Sequence, residues 1–244
     1  MFKSLLISVA LLCAAGPALA QDEASEEIVV TAARYNNAYQ NFSLPHVSRL
    51  RRADFAVRNL TISSDTRDAT QRRQELQQAL QSLTRFSDRS ARVSVALIAE
   101  DEDESGQARV VTFTVEKALE SLRPTGRPDT SQVTIVVRTA VGAGDDLDAV
   151  DARFNAFVRA IPHPGRVETQ LGGMELTLAN PQQYRAGLIA DIAADASQIS
   201  ATLGPGYGAR LEGLESPIAW RRAGDLDLRL FVPYRMVILP REAS

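Results

Sequence analysis

The two histidines are the side chains of this chain best suited to proton transfer, and the sequence keeps them far apart. His46 follows a proline, and His163 lies between two prolines in a segment typical of a turn. Acid–base catalysis also needs a reacting group or carboxylate within hydrogen-bond reach. No Gly-x-Ser-x-Gly, His-Glu-x-x-His or Walker sequence supplies such a partner. We therefore predict no catalytic residues and a non-enzymatic protein, with an enzyme of unknown type as the weaker alternative.

The acidic segment 100–106 is the best candidate for a metal site. Asp101, Asp103 and Ser105 occupy positions one, three and five of a calcium-loop pattern, where oxygen ligands suit the ion. Position twelve of that pattern is Thr112, whereas a calcium loop has a bidentate glutamate there. A solvated hairpin tip is therefore the stronger interpretation, and we predict neither a metal ion nor a cofactor.

The first 20 residues have the pattern of a secretory signal peptide. Lys3 precedes a mainly apolar run over 5–15, and Ala18 and Ala20 are the small residues that a signal peptidase requires before its cut. We predict cleavage after Ala20 and a periplasmic location. Lipidation at Cys13 is the less favoured alternative, because Leu12 precedes it where a lipoprotein site has a small residue.

Composition and charge exclude several classes of protein. The chain is 45% hydrophobic and 23% charged, which is typical of a globular protein, and its formal net charge is −3. This mild acidity argues against nucleic-acid binding. Cleavage would remove the single cysteine, so a disulfide is not expected. Beyond the signal, no uninterrupted apolar run is long enough for a transmembrane helix.

The first half of the mature chain contains a polar arm and then alternating strands and a helix. We predict that residues 21–45 form a flexible arm or a lightly docked strand, and that a folded domain covers 46–240. A strand with a bulge near Asn59 is followed by an amphipathic helix, capped by Asp65 or Thr66 and ending near Phe86. In that helix, Arg72 is placed on the polar face. Two further strands form a hairpin, and the segment 116–122 predicts either a strand extension or a short helix.

The second half has a sharper pattern. Two prolines and a glycine mark a possible sub-boundary at 123–130. A strand over 132–141 precedes a helix capped by Asp145 or Asp146, and a second helix over 182–203 is stopped by Gly204. Alternation over 226–238 predicts one long strand, with an edge position or a bend at Pro233.

These elements predict an α+β fold, in which a mostly antiparallel sheet carries amphipathic helices on one face. The order of motifs resembles the SIMPL-domain family of exported bacterial proteins. Residues 28–30 correspond to its early strand, 53–56 to its strand entry, and 66–69 to its helix start. Its alanine-rich helix with late glycines corresponds to 194–208, and its terminal strand to 226–238. The resemblance implies an envelope or periplasmic protein that oligomerises, is associated with stress defence and has no established active site.

The arm contains a segment similar to the TonB box of outer-membrane receptors. Residues 26–32 read Glu-Glu-Ile-Val-Val-Thr-Ala, and a short β-branched run in a polar arm is suited to pairing as an added strand. The chain is too short for the barrel of about 22 strands that such receptors have. A TonB adaptor is therefore an alternative function, while a merely local strand or linker remains the simpler interpretation. The candidate partner-binding residues are Glu27, Ile28, Val29, Val30 and Thr31.

Arginines supply nearly all of the basic charge and cluster in two places. One stretch includes Arg49, Arg51, Arg52 and Arg58, and a second follows Trp220. Either stretch could meet an anionic headgroup or a polysaccharide. We favour the interpretation that these arginines pair with carboxylates within the fold. The predicted binding partner of the chain is therefore a protein or a second copy of the chain.

Overall fold

The computed structural model describes residues 44–90, 92–102, 108–127 and 129–240. Within these ranges the chain is an α+β protein, as expected, with ten strands and four α-helices. The strands are β1 (Arg49–Arg52), β2 (Phe55–Ser64), β3 (Val93–Glu102), β4 (Ala108–Thr112), β5 (Ser131–Ala140), β6 (Val167–Thr177), β7 (Tyr207–Glu212), β8 (Ala219–Arg222), β9 (Asp227–Phe231) and β10 (Arg235–Pro240). The helices are α1 (Ala69–Arg89), α2 (Val115–Glu120), α3 (Leu147–Arg159) and α4 (Arg185–Leu203).

A five-stranded antiparallel sheet in the order β4–β3–β5–β2–β6 forms the centre of the fold. On one face, Leu60 and Ile62 of β2 lie opposite Ile135 and Val133 of β5, and all four are buried. The helices α1 and α3 cover this face. The bulge predicted near Asn59 is confirmed, because the register of β2 against β6 shifts between Arg58 and Leu60.

The boundaries of α1 differ from those expected. Its N-cap is Asp68, whose carboxylate accepts a hydrogen bond from the Gln71 N–H at 2.7 Å, and the helix continues to Arg89. Thr66 is instead buried and donates its hydroxyl to Glu75. Asp65 is exposed beside Arg166. The cap therefore lies three residues after Asp65, because Ser64 and Thr66 bond to Glu75 in the body of the helix.

The segment after the hairpin of β3 and β4 forms the short helix α2, capped by the Thr114 hydroxyl. Residues 123–130 then connect α2 to β5, and strands from both sides of this connection share the central sheet. Of the two cap candidates for α3, Asp146 is the cap, since its side chain accepts the Ala149 N–H at 2.7 Å. Asp145 accepts the Gly142 N–H and binds Arg153.

The prediction of one continuous strand over 226–238 is wrong. β9 lies in a three-stranded sheet of order β1–β9–β8, and β10 pairs with β7 in a separate two-stranded sheet. Val232, Pro233 and Tyr234 separate the two strands. The bend anticipated at Pro233 is therefore real, since proline lacks the N–H needed to continue a ladder, and it divides the strand between two sheets.

The helix α4 follows a short 3₁₀ turn over Pro181–Tyr184 and ends before Gly204, whose φ of 98° suits a residue without a Cβ. Leu188 and Ile192 of α4 belong to the same core as Trp220, Leu228 and Leu230. The helix also contacts β7, which we describe with β10 as the β7–β10 ribbon. In the part of the chain that the structure describes, no helix is both long and apolar enough to span a bilayer.

Candidate functional site

The two histidines lie in different surroundings. His46 has an 85% exposed side chain, and its Nε2 lies 3.9 Å from Asp195 Oδ1, beyond hydrogen-bond distance. His163 is exposed, and its Nε2 lies 3.0 Å from the Thr169 hydroxyl. The structure therefore does not bring the two imidazoles together. Across residues 44–90, 92–102, 108–127 and 129–240, no group of three or more His, Cys, Asp or Glu side chains could hold a metal ion.

Several candidates from the sequence fall where the structure gives no side-chain geometry. Asp101 is part of strand β3, whereas Asp103 and Ser105 lie outside the described residues. The arm residues Glu27, Ile28, Val29, Val30 and Thr31 also lie outside them. The acidic segment and the TonB-box-like segment thus remain predictions from the sequence.

The arginines of the first basic stretch make contacts within the fold. Arg49 binds Asp191 of α4 through both carboxylate oxygens, at 2.6 and 2.9 Å, and so joins β1 to that helix. Arg58 reaches Asp151 of α3 at 2.8 Å. This agrees with the favoured interpretation of these arginines, although the partner carboxylates come from helices and not from neighbouring strands.

A cavity of about 300 Å³ lies at one end of the central sheet. Its walls come from the end of β2, from the 125–132 segment that enters β5, and from the start of β6. We name it the polar cavity, because every described residue that lines it is polar. Six of them carry hydroxyl groups: Thr61, Ser63, Ser64, Thr125, Thr130 and Thr169.

The remaining lining residues carry amides and charges. Gln132 and Gln170 supply amide groups. The positively charged members are Arg127 and Arg166, and the negatively charged members are Asp65 and Glu168. Two positive and two negative side chains give the lining a formal charge of zero. The lining therefore offers both donors and acceptors without favouring either sign of charge.

Two buried polar residues of α1 hold these walls in place. Glu75 accepts hydrogen bonds from the hydroxyls of Ser64 at 2.9 Å and Thr66 at 2.7 Å, and from the backbone N–H of Arg166 at 3.4 Å. Arg72 donates to the carbonyl of Asp129 at 3.0 Å and to the Ser131 hydroxyl at 3.0 Å. One turn of helix thus ties together the end of β2, the 125–132 segment and the residues that enter β6.

The carboxylate of Glu75 is kept ionised by its hydrogen bonds. Burial by itself raises the pKa of Glu75, but the four groups that donate to the carboxylate more than offset this and lower that pKa below its ordinary value. The donors are Thr66, Ser64, the backbone of Arg166 and Gln71. A charged, fully bonded acceptor therefore lies directly behind the wall of the polar cavity.

Arg72, expected on the polar face of the helix, is buried at 9% exposure, and Glu75, for which no role was predicted, is buried at 6% exposure. A signal was present, because residues 72 and 75 continue backwards the helical spacing of the buried residues Leu76, Ala79 and Leu83. Hydrophobic periodicity detects only the apolar members of this stripe, and so it does not include Arg72 and Glu75 at its N-terminal end.

The β7–β10 ribbon is a second feature that the sequence patterns did not predict. Among the described residues, Leu203, Tyr207 and Leu239 are large apolar side chains that are 48%, 43% and 42% exposed, and all three lie at this end of the molecule. The ribbon alternates: Met236 and Ile238 lie on the same face as Leu211, which packs on the core, whereas Val237 and Leu239 lie on the other face. β10 pairs with β7 along one edge, and no described strand pairs with its other edge.

No protein-family model matches the chain. A search of curated proteins likewise finds no match.

Proposed function

We propose that the chain is an exported, non-enzymatic protein of the periplasm or cell envelope, of SIMPL type, that acts by assembling with a second copy of itself. Export is supported by the pattern of residues 1–20. The motif order that resembles the SIMPL family supports oligomerisation and suggests a role in envelope or oxidative stress defence. The observation that carries the proposal is the outer edge of β10.

This edge is suited to strand pairing. Within the described chain, the outer N–H and C=O groups of β10 have no strand partner, and unpaired groups at a sheet edge readily pair with another chain. Residues 236–239 are uncharged and apolar, between Arg235 and Pro240 at the ends. Natural proteins protect such edges with charged side chains, proline or a bulge, and here Arg235 and Pro240 occupy only the two ends of the strand. Leu239, whose side chain is 42% exposed, lies on this strand and would lose part of its contact with water in a pair of ribbons.

A twofold, antiparallel pairing of β10 with β10 is consistent with its side chains. With the axis at Val237, that residue lies opposite its own copy, and Arg235 lies opposite Leu239. Arginine therefore never faces arginine, and Pro240 lies outside the paired segment. The result is a continuous four-stranded sheet with α4 of both copies on the same face.

Light scattering on the purified chain tests this assembly. We expect a dimer for the unchanged protein and a monomer for Val237→Lys, because two lysines would lie directly opposite each other across the axis. Thr202→Lys is the matched control, since it adds the same charge at an exposed position of α4 and should leave the dimer intact. A strictly monomeric unchanged protein at high concentration, or a Val237→Lys variant that still dimerises, would contradict the proposal.

The alternative is a periplasmic adaptor whose segment 26–32 pairs with TonB. The observation in its favour is the sequence similarity of that segment. Deletion of residues 21–34 should then abolish binding to purified TonB, while the oligomeric state stays unchanged. Equal binding by the deleted and intact chains, or no binding by either, would eliminate the adaptor.

A further inference from the structure

The polar cavity has the size of a small-molecule site but not the lining of an apolar one. Its volume of about 300 Å³ is that of roughly ten water molecules at about 30 Å³ each, and it falls at the lower end of the range of ligand sites. Ligand sites generally have mostly hydrophobic walls. Here no described lining residue is apolar, so hydrogen bonds must provide the recognition.

The balance of charges points away from ions. An anion attracted by Arg127 and Arg166 would also be repelled by the carboxylates of Asp65 and Glu168. A cation attracted by these carboxylates would be repelled by the two guanidinium groups. A neutral ligand avoids both conflicts. Such a ligand must both donate and accept, because guanidinium groups only donate, carboxylates only accept, and hydroxyl and amide groups do both.

A molecule with several neighbouring hydroxyl groups has these properties. Two adjacent hydroxyls can bind one carboxylate or one guanidinium fork in a bidentate manner, and further hydroxyls can exchange hydrogen bonds with threonine, serine and glutamine side chains. We propose that the polar cavity binds a neutral polyhydroxylated molecule of the saccharide class. This inference goes beyond self-assembly and is independent of it, since the polar cavity and the β7–β10 ribbon share no residue.

Hydrogen bonds within the protein hold the walls of the polar cavity. Glu75 and Arg72 fix its three walls from behind, and Thr130 donates its hydroxyl to the Arg127 carbonyl at 2.9 Å. Thr125 and Thr130 are joined by a hydrogen bond between their hydroxyls. Preorganisation of this kind lowers the entropy lost on binding.

One contact inside the polar cavity can be exchanged at little cost. Arg166 lies 3.4 Å from Asp65, and their side chains are 67% and 49% exposed. An ion pair this exposed contributes little to stability. Saccharide hydroxyls can therefore replace it and bind both charged groups.

An NMR titration of the purified, isotope-labelled chain tests the proposal. The probes are D-glucose and cellobiose, with inorganic phosphate and glycine as the anionic and zwitterionic comparisons. We expect saturable shifts with either saccharide in the millimolar range, largest at Thr61, Gln132 and Gln170, and no saturation at these residues with the comparison compounds. The unchanged protein alone decides this part, so it does not depend on whether a variant folds.

Three variants then locate the site. Gln132→Ala and Gln170→Ala should each weaken saccharide binding about fivefold, through loss of side-chain hydrogen bonds. Gln182→Ala is the control, because Gln182 is an exposed glutamine of the 3₁₀ turn outside the polar cavity. No saturation with either saccharide up to about 50 mM, a weak limit on the affinity scale, would overturn the proposal. Saturation only with phosphate or glycine, or equal affinity in both variants and the control, would also overturn it.

Discussion

At the scale of single residues, the most informative group is the pair of polar side chains buried beneath the polar cavity. A buried carboxylate is costly unless hydrogen bonds satisfy it, and Glu75 has donors from two separated parts of the chain, residues 64–66 and Arg166. Its position therefore specifies where those parts lie, in addition to any contribution to stability. Arg72 has the same role for the segment that enters β5.

The backbone at Gly165 must come close to this carboxylate, which leads to a first prediction. Gly165 has a φ of +59°, and a Cβ at this position would lie 2.1 Å from Glu75 Oε1. Gly165→Ala should lower the free energy of unfolding by about 2 kcal/mol or more, from strain and from displacement of the carboxylate. Urea unfolding measures this loss.

Gly144→Ala is the matched control for that measurement. A Cβ at Gly144 meets no atom within 4 Å. The control should therefore change the free energy of unfolding by no more than about 0.5 kcal/mol. Equal losses for the two variants would show that the close approach at Gly165 has no energetic consequence.

At the scale of elements, local signals located most helices and strands but did not always give their ends. The acidic caps show why. Two neighbouring aspartates precede α3, and only the backbone geometry determines that Asp146 caps the helix while Asp145 binds Arg153. The hydrogen bond from Arg153, together with that from the Gly142 N–H, holds the pKa of Asp145 well below its usual range, although burial acts in the opposite direction.

Removal of the α3 cap gives a second prediction. Asp146→Ala should lower the free energy of unfolding by about 1 kcal/mol, because the Ala149 N–H loses its acceptor. Asp148→Ala removes an exposed carboxylate from the first turn of the same helix and should cost only a few tenths of that, about 0.3 kcal/mol. Thermal unfolding of both variants compares them. A cost for Asp148→Ala equal to that for Asp146→Ala would contradict the assignment of the cap.

At the scale of the whole molecule, the structure links acid stability to two carboxylates that accept hydrogen bonds within the fold. The pKa values of Glu75 and Asp145 are both lowered in the folded chain. The unfolded chain therefore binds more protons than the folded chain as the pH falls through the ordinary carboxyl range. Their stabilising contribution is complete above the unfolded pKa values and is lost as the pH falls through the folded ones.

Denaturant unfolding between pH 7 and pH 3 tests this linkage. The unchanged protein should lose stability steadily below about pH 4.5, the ordinary value for a glutamate. Glu75→Gln should be less stable at pH 7 by about 2 kcal/mol, since the glutamine amide cannot replace a carboxylate that accepts several hydrogen bonds. The free energy of unfolding of Glu75→Gln should also fall less than that of the unchanged protein as the pH is lowered. A variant with the same slope against pH as the unchanged protein would rule out a contribution from Glu75.

The sequence by itself was sufficient for the fold class, the bulge at Asn59 and the stop at Gly204, because these follow from short-range periodicity, alternation and backbone freedom. Only the tertiary structure decided that residues 226–238 divide between two sheets. The strands that pair with β9 and β10 are distant along the chain, and a proline within the segment does not indicate which strands they are. The same reason applies to the polar cavity. Its lining comes from three separated segments, and hydrogen bonds to two buried side chains of α1 bring them together.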